Sequence, residues 1–151
     1  MFRPPGSCRP KGLKIPRLLT REGRHPFDEI EWDRRDAAIK NDKGETIFEE
    51  HGVEVPKSWS MLATNIVASK YFYGGHGSDK REKSVRQLVE RIAKTLRSEG
   101  ERQGLLKDTE TADTFEAELS YMLVHQIGAF NSPVWFNCGL YHQYGIEGTG
   151  G

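Results

Sequence analysis

The ten residues Asn131-Ser132-Pro133-Val134-Trp135-Phe136-Asn137-Cys138-Gly139-Leu140 constrain this chain more than any other stretch. They combine two aromatics, a proline, a glycine, two asparagines and a cysteine. Proline disfavours helical dihedrals in the residue before it, so Ser132 is expected to be extended or in a turn. Asn137-Cys138-Gly139 offers a site for a left-handed or closely approached backbone. The run is too apolar for a free loop and too irregular for a helix, so it reads as a buried strand leading into a turn.

A chain of 151 residues fits one domain. Its hydrophobic content of 36% and charged content of 29% allow a modest core under a large solvated surface. The 22 basic and 22 acidic residues cancel, and a zero sum argues against general capture of nucleic acid, which needs a basic excess. The charge is uneven: Arg3, Arg9, Lys11, Lys14, Arg17, Arg21 and Arg24 face a single early acid, Glu22. Prolines and glycines break the same region, so residues 1–19 read as a flexible basic arm ahead of a domain over 20–151. Cys8 and Cys138 follow no metal spacing, and a disulfide between them is not expected without secretory features. No apolar run approaches the ~20 residues that span a bilayer, and no signal-peptide pattern is present, so the cytoplasm is the expected compartment.

The pattern along the chain predicts an α+β fold, a hairpin region followed by a small helical domain. Glu29-Ile30-Glu31-Trp32-Asp33 alternates with period two, and Thr46-Ile47-Phe48 and Val53-Glu54-Val55 resume that pattern beyond the Asn41-Asp42-Lys43-Gly44 turn. Pro56 closes the hairpin, whose paired arms are placed near residues 37–40 and 45–49. A first helix is expected from Ser58 to about Tyr73, with Trp59, Leu62, Ala63, Ile66 and Val67 on its apolar face. Gly74-Gly75-His76-Gly77 ends it and lacks the spacing of a phosphate-binding loop. A second helix opens on a Ser84/Gln87 capping box, carries Val85, Leu88, Val89, Ile92, Ala93 and Leu96 on one stripe, and is expected to stop at Gly100. Arg86, Glu90, Arg91, Lys94 and Arg97 make up its solvated face. A third helix is predicted from an Asp113/Glu116 capping box to Gly128, with Phe115, Leu119, Met122, Leu123 and Ile127 buried. It would deliver the 131–140 segment to a fixed place. The glycine-rich end, residues 145–151, reads as a linker. The five histidines show no i, i+4 pair, and no metal site is expected.

The segment Asn131 to Leu140 resembles the NSP-x-WFN-x-GL stretch of adenosylcobalamin-dependent (class II) ribonucleotide reductases. The similarity extends to Ser120–Leu123, Tyr144–Ile146, Val53–Ser60 and Lys70–Phe72, about residues 20–151. The resemblance implies the N-terminal portion of a longer enzyme that reduces ribonucleotides by cobalamin-initiated radical chemistry, leading into the first part of its barrel. It implies adenosylcobalamin as cofactor, held mainly by the remainder of the enzyme, and that remainder and a ribonucleotide as partners. The radical cysteine and the reducing thiols of the family lie beyond the matched region, so no catalytic residue is assigned. Cys138 occupies a variable position and reads as a small hydrophobe. The residue matching Ser132 helps to bind substrate in related reductases, and a serine hydroxyl suits a phosphate or ribose oxygen. Ser132 is therefore the first substrate-binding candidate, followed by Asn131 and Asn137 as binding or loop-shaping residues. Trp135 and Phe136 read as core anchors. A stand-alone α+β interaction module with a basic arm and no catalysis is the alternative reading.

Overall fold

The computed structural model describes residues 12–147. A 3-10 turn, Pro26–Glu29, leads into strands β1 (Trp32–Lys40) and β2 (Thr46–Pro56), which pair antiparallel from Trp32 opposite Pro56 to Lys40 opposite Thr46. Five helices follow: α1 (Met61–Ile66, continued by a π turn Val67–Tyr71), α2 (Val85–Arg102), α3 (Thr109–Val124), α4 (Ser132–Asn137) and α5 (Leu140–Tyr144). The fold is α+β, a hairpin and then helices, as the sequence pattern predicts. Glu29 belongs to the 3-10 turn, so the period-two pattern becomes strand only at Trp32.

The hairpin closes where the turn residues place it. Asn41 N–H donates to the Glu45 carbonyl (2.9 Å), Gly44 N–H donates to the Asn41 carbonyl (2.9 Å), and Gly44 takes φ +81. The register shifts between Arg35 and Ala37, where Gly52 N–H donates to Asp36 Oδ1 at 3.1 Å. The core is assembled from Ala37, Val53 and Val55 of the hairpin, Val67, Ala68 and Phe72 around the π turn, Val85, Leu88, Val89, Ile92 and Ala93 of α2, and Leu119, Leu123 and Val124 of α3. At a typical 1.5–3 kcal/mol per fully buried aliphatic side chain, this shared interface is the main source of the fold's cohesion.

Four element boundaries differ from the sequence reading. The cap of α1 is Ser60, whose Oγ accepts from Ala63 N–H at 3.1 Å, and not Ser58. Val67 is buried as expected, but Leu62 and Ile66 are 69% and 40% exposed, because α1 turns Thr64 and Ala68 inward in their place. The predicted capping box of α2 is present, but the helix runs through Gly100 to Arg102, and the left-handed glycine is Gly104 (φ +69). Gly100 is small for another reason: a Cβ there would lie 3.1 Å from Leu106 Cδ1. Helix α3 starts five residues earlier than expected, capped by Asp108 in place of Asp113, and Asp108 Oδ1 accepts from Thr111 N–H at 2.9 Å. Asp113 and Glu116 instead receive Arg97, at 2.7 and 2.8 Å. The helix ends at Val124, so Ile127 lies beyond it and is 60% exposed.

The first eleven residues of the expected arm, with Cys8, and the terminal Gly148–Gly151 of the expected linker lie outside the described residues. Within 12–20, Leu13 N–H donates to the Leu105 carbonyl (2.7 Å) and Lys107 N–H to the Leu13 carbonyl (3.1 Å). The backbone N–H groups of Leu18, Leu19 and Thr20 then converge on the Glu118 carboxylate of α3, joined by the Thr20 hydroxyl at 2.6 Å.

The largest departure is the segment read as a buried strand. It forms α4 and α5, separated by Cys138 and Gly139. The extended residue is Asn131 (φ −71, ψ 162), and Ser132 is already the first helical residue. Proline is tolerated in the first helical turn, since its missing N–H has no intrahelical partner there and its φ is preset. The helix is six residues long, too short to persist on propensity alone. Tertiary bonds hold it.

Candidate functional site

Those bonds come from Arg91, in the middle of α2. Arg91 and Glu82 are both fully buried, with Nε to Oε1 at 2.8 Å. Nη2 adds a second bond to the same carboxylate, Glu82 Oε2 (3.3 Å), and the guanidinium also reaches backbone carbonyls: Nη1 donates to Cys138 O (2.6 Å), and Nη2 to Trp135 O (3.2 Å) and Tyr71 O (3.4 Å). Carbonyls at the C-terminal end of α4 and the last residue of the π turn are thus tied to one cation. Glu82 also accepts from Tyr73 N–H (2.8 Å) and the Tyr144 hydroxyl (2.8 Å). Burial first, and then the Glu82 charge and its hydrogen bond, push the Tyr144 hydroxyl far above the ordinary phenol range. The sequence pattern places Arg91 on the solvated face of α2, and the structure buries it instead. Arg91 lies about 60° around the helix from Leu88, at the flank of the apolar stripe, where a facing carboxylate and unpaired carbonyls draw it inward.

Gly139 lets the segments meet. It takes φ +84, and a Cβ there would lie 2.5 Å from the Arg91 carbonyl oxygen and 2.7 Å from Thr95 Oγ1. The expected close backbone approach at 137–139 therefore exists, and it is made to α2.

The three candidate residues are divided by the helix. Ser132 is half-buried, and its Oγ lies 3.2 Å from the Tyr71 hydroxyl. Asn131 is exposed beside it and makes no side-chain capping bond. Asn137 sits about 140° around α4 from Ser132. Its Nδ2 donates to the Pro133 carbonyl (3.1 Å), while its Oδ1 is buried without a partner among the described residues. The structure thus brings Asn131 and Ser132 together and turns Asn137 to shaping the helix. Val134, Trp135 and Cys138 pack on the core, and Trp135 roofs an apolar cavity of about 250 Å³ that Trp59, Ile66, Val67, Leu88 and Leu123 help to line. Tyr71 stands against Trp135 and Phe136, with ring centroids 6.0 and 5.4 Å away. Burial raises the Cys138 thiol pKa, an effect the Arg91 charge only partly offsets.

The family model of the class II vitamin B12-dependent ribonucleotide reductases matches residues 33–126, from the start of β1 past the end of α3. The chain belongs to this family. It is similar to the vitamin B12-dependent ribonucleotide reductase of Rhodopirellula baltica, 50% identical over 139 residues that cover 91% of this chain and 13% of the relative. The reductase of Streptomyces avermitilis is 52% identical over 130 residues (85% of this chain, 14% of the relative), and that of Bradyrhizobium diazoefficiens 30% over 171 (91% and 14%). The chain spans 13–14% of the length of these curated relatives.

The class II family name implies cobalamin. The cavity beneath Trp135, about 250 Å³ and apolar, falls below the ~300–1,000 Å³ of pockets that take drug-sized ligands, and a corrin is larger still. Among the described residues there is no cluster of three or more His, Cys, Asp or Glu side chains able to hold a metal ion. No described helix is long and apolar enough to cross a membrane.

Arg91, Glu82, Tyr71 and Tyr144 were not among the sequence candidates. Tyr71 and Tyr144 carry a signal as parts of the Lys70–Phe72 and Tyr144–Ile146 similarities, and Glu82 carries none. The signal for Arg91 is its place at the edge of the α2 stripe, which for a charged residue reads more readily as solvated.

Proposed function

We propose that this chain is the N-terminal part of a ribonucleotide reductase that makes deoxyribonucleotides by cobalamin-initiated radical chemistry, and that it contributes substrate-contacting and docking surface without catalytic cysteines. The observation that carries the reading is Ser132: a half-buried hydroxyl on a short helix whose backbone is pinned by a buried ion pair. A hydroxyl held this way can donate to a phosphate or ribose oxygen without first being ordered, which lowers the entropic cost of binding. Asn131 adjoins it as a second polar contact, and Asn137 supports the helix. Adenosylcobalamin and the reducing thiols belong to the rest of the enzyme, the chain's partner in the cytoplasm. On this reading the chain alone turns nothing over.

The experiment is complementation. The chain is co-expressed with the remainder of a class II reductase and supplied with adenosylcobalamin, a ribonucleotide and a dithiol, and deoxyribonucleotide is assayed. Product only with both pieces, with a KM raised roughly three- to tenfold by Ser132→Ala, supports the reading, since a neutral hydrogen bond is worth about that much. Absence of association between the pieces moves the weight to a stand-alone interaction module.

A further inference from the structure

The Ser132 hydroxyl has one neighbour of its own kind, and the chemistry of that contact is asymmetric. Ser132 Oγ and Tyr71 Oη are 3.2 Å apart, and either can donate. Two hydroxyls bring two protons, and one contact between them uses one. Whichever way the bond points, one O–H remains to be given elsewhere. Neither hydroxyl has a further partner among the described residues, and both residues are half-buried and not sealed in the core.

The placement of Tyr71 is as constrained as that of Ser132. Tyr71 is the last residue of the π turn, in which Phe72 N–H reaches back five residues to the Val67 carbonyl (3.1 Å). Such single wide turns inside helices displace one residue from the regular register. Here the displaced end is fastened: the Tyr71 carbonyl accepts from Arg91 Nη2, and its ring rests on Trp135 and Phe136. The two hydroxyls come from segments 61 residues apart, yet both backbones are tied to the same guanidinium. A pair so fixed, with one O–H left to face solvent, is suited to an external acceptor.

We infer that Tyr71 is a second substrate-contacting residue, and that the Tyr71 and Ser132 hydroxyls act as one unit that donates a single hydrogen bond to an acceptor oxygen of the ribonucleotide. This rests on the reading of Ser132 as a substrate contact. It predicts a definite energetic signature, because one shared bond can be lost only once.

The test uses the complete Rhodopirellula baltica reductase with its matching segment replaced by this chain. Tyr71→Phe, Ser132→Ala and the double variant are compared for KM, kcat and thermal midpoint. Phenylalanine keeps the ring on Trp135 and Phe136 and removes only the hydroxyl. Each single variant is expected to raise the ribonucleotide KM roughly three- to tenfold with kcat within about twofold, as for a contact made equally in ground and transition states. The double variant should be no worse than the more affected single, within about twofold, since both changes remove the same interaction. A silent Tyr71→Phe beside an active Ser132→Ala overturns the inference and leaves the site reading standing. A thermal midpoint lowered by Tyr71→Phe with KM unchanged also overturns it. Multiplying effects in the double variant overturn the shared unit in favour of two separate contacts. Unchanged KM in both single variants overturns the site reading as well.

Discussion

Glu82 Oε1 lies 2.8 Å from Arg91 Nε, and neither side chain has any solvent exposure. Arg91→Ala leaves a buried carboxylate without its cation and three carbonyls without their donor. Breaking a buried pair from one side typically costs about 3–5 kcal/mol. Urea titration should show a loss of that size, whereas a double replacement by apolar residues, Arg91→Met with Glu82→Met, should lose less because no charge is stranded. A double variant as unstable as the single would show that the carbonyl bonds, and not the uncompensated charge, dominate.

Gly139 and Gly44 both have positive φ, +84 and +81, but only Gly139 has neighbours. Alanine at Gly44 carries the left-handed strain alone, about 1–2 kcal/mol. Alanine at Gly139 adds the clash with Arg91 and Thr95, a further ~1–3 kcal/mol by analogy with overpacked cores. Thermal midpoints should fall distinctly further for Gly139→Ala, and equal losses would contradict the close approach.

Glu118 binds the segment through Leu18 to Thr20. Burial alone would raise its carboxyl pKa, but hydrogen bonds from the Thr20 hydroxyl and the Leu19, Thr20 and Leu18 backbone outweigh it, and the net shift is downward from 4.5. A depressed folded pKa means stability that is complete above the unfolded value and lost as pH falls through the folded one. Stability should therefore decline below about pH 4.5, and Glu118→Gln should flatten the decline. Amide hydrogen exchange at Leu19 and Thr20 is the local readout: faster exchange in the glutamine variant is expected at neutral pH.

The Cys138 thiol titrates above its ordinary 9.0 because it is partly buried. Less thiolate at a given pH means slower alkylation. In a Cys8→Ser background, iodoacetamide at pH 8 should label the folded chain more slowly than the urea-unfolded chain. Equal rates would place the thiol in free solvent.

The hairpin and the Ser84/Gln87 box were legible because each is a local device: an Asn-Asp-Lys-Gly turn, or two side chains three residues apart. Boundaries failed where a second local signal competed, as when Asp113 and Glu116 offered a plausible box while Arg97 on another helix claimed both. Helix α4 failed for a deeper reason. Its residues are compatible with strand or helix, and the decision is made by carbonyl bonds to Arg91 that span 44 and 47 residues. Ser132, Asn131 and Asn137 stand out by resemblance, but the contact of Ser132 with Tyr71 and the arginine that ties their two segments are visible only in three dimensions.

The long span of those Arg91 bonds also sets an order of events. Contacts that close large loops are formed late, since the chain entropy must be surrendered before they can reward it. The two-stranded hairpin and the long central helix can gather first, with the guanidinium still hydrated; α4 has nothing to dock on until then. Arg91→Lys should accordingly hasten unfolding in stopped-flow measurements and leave the refolding rate nearly unchanged. A folding chain would thus gain the Ser132 surface after its core, and a damaged one would lose it first, so that the surface itself reports whether the domain is fully packed.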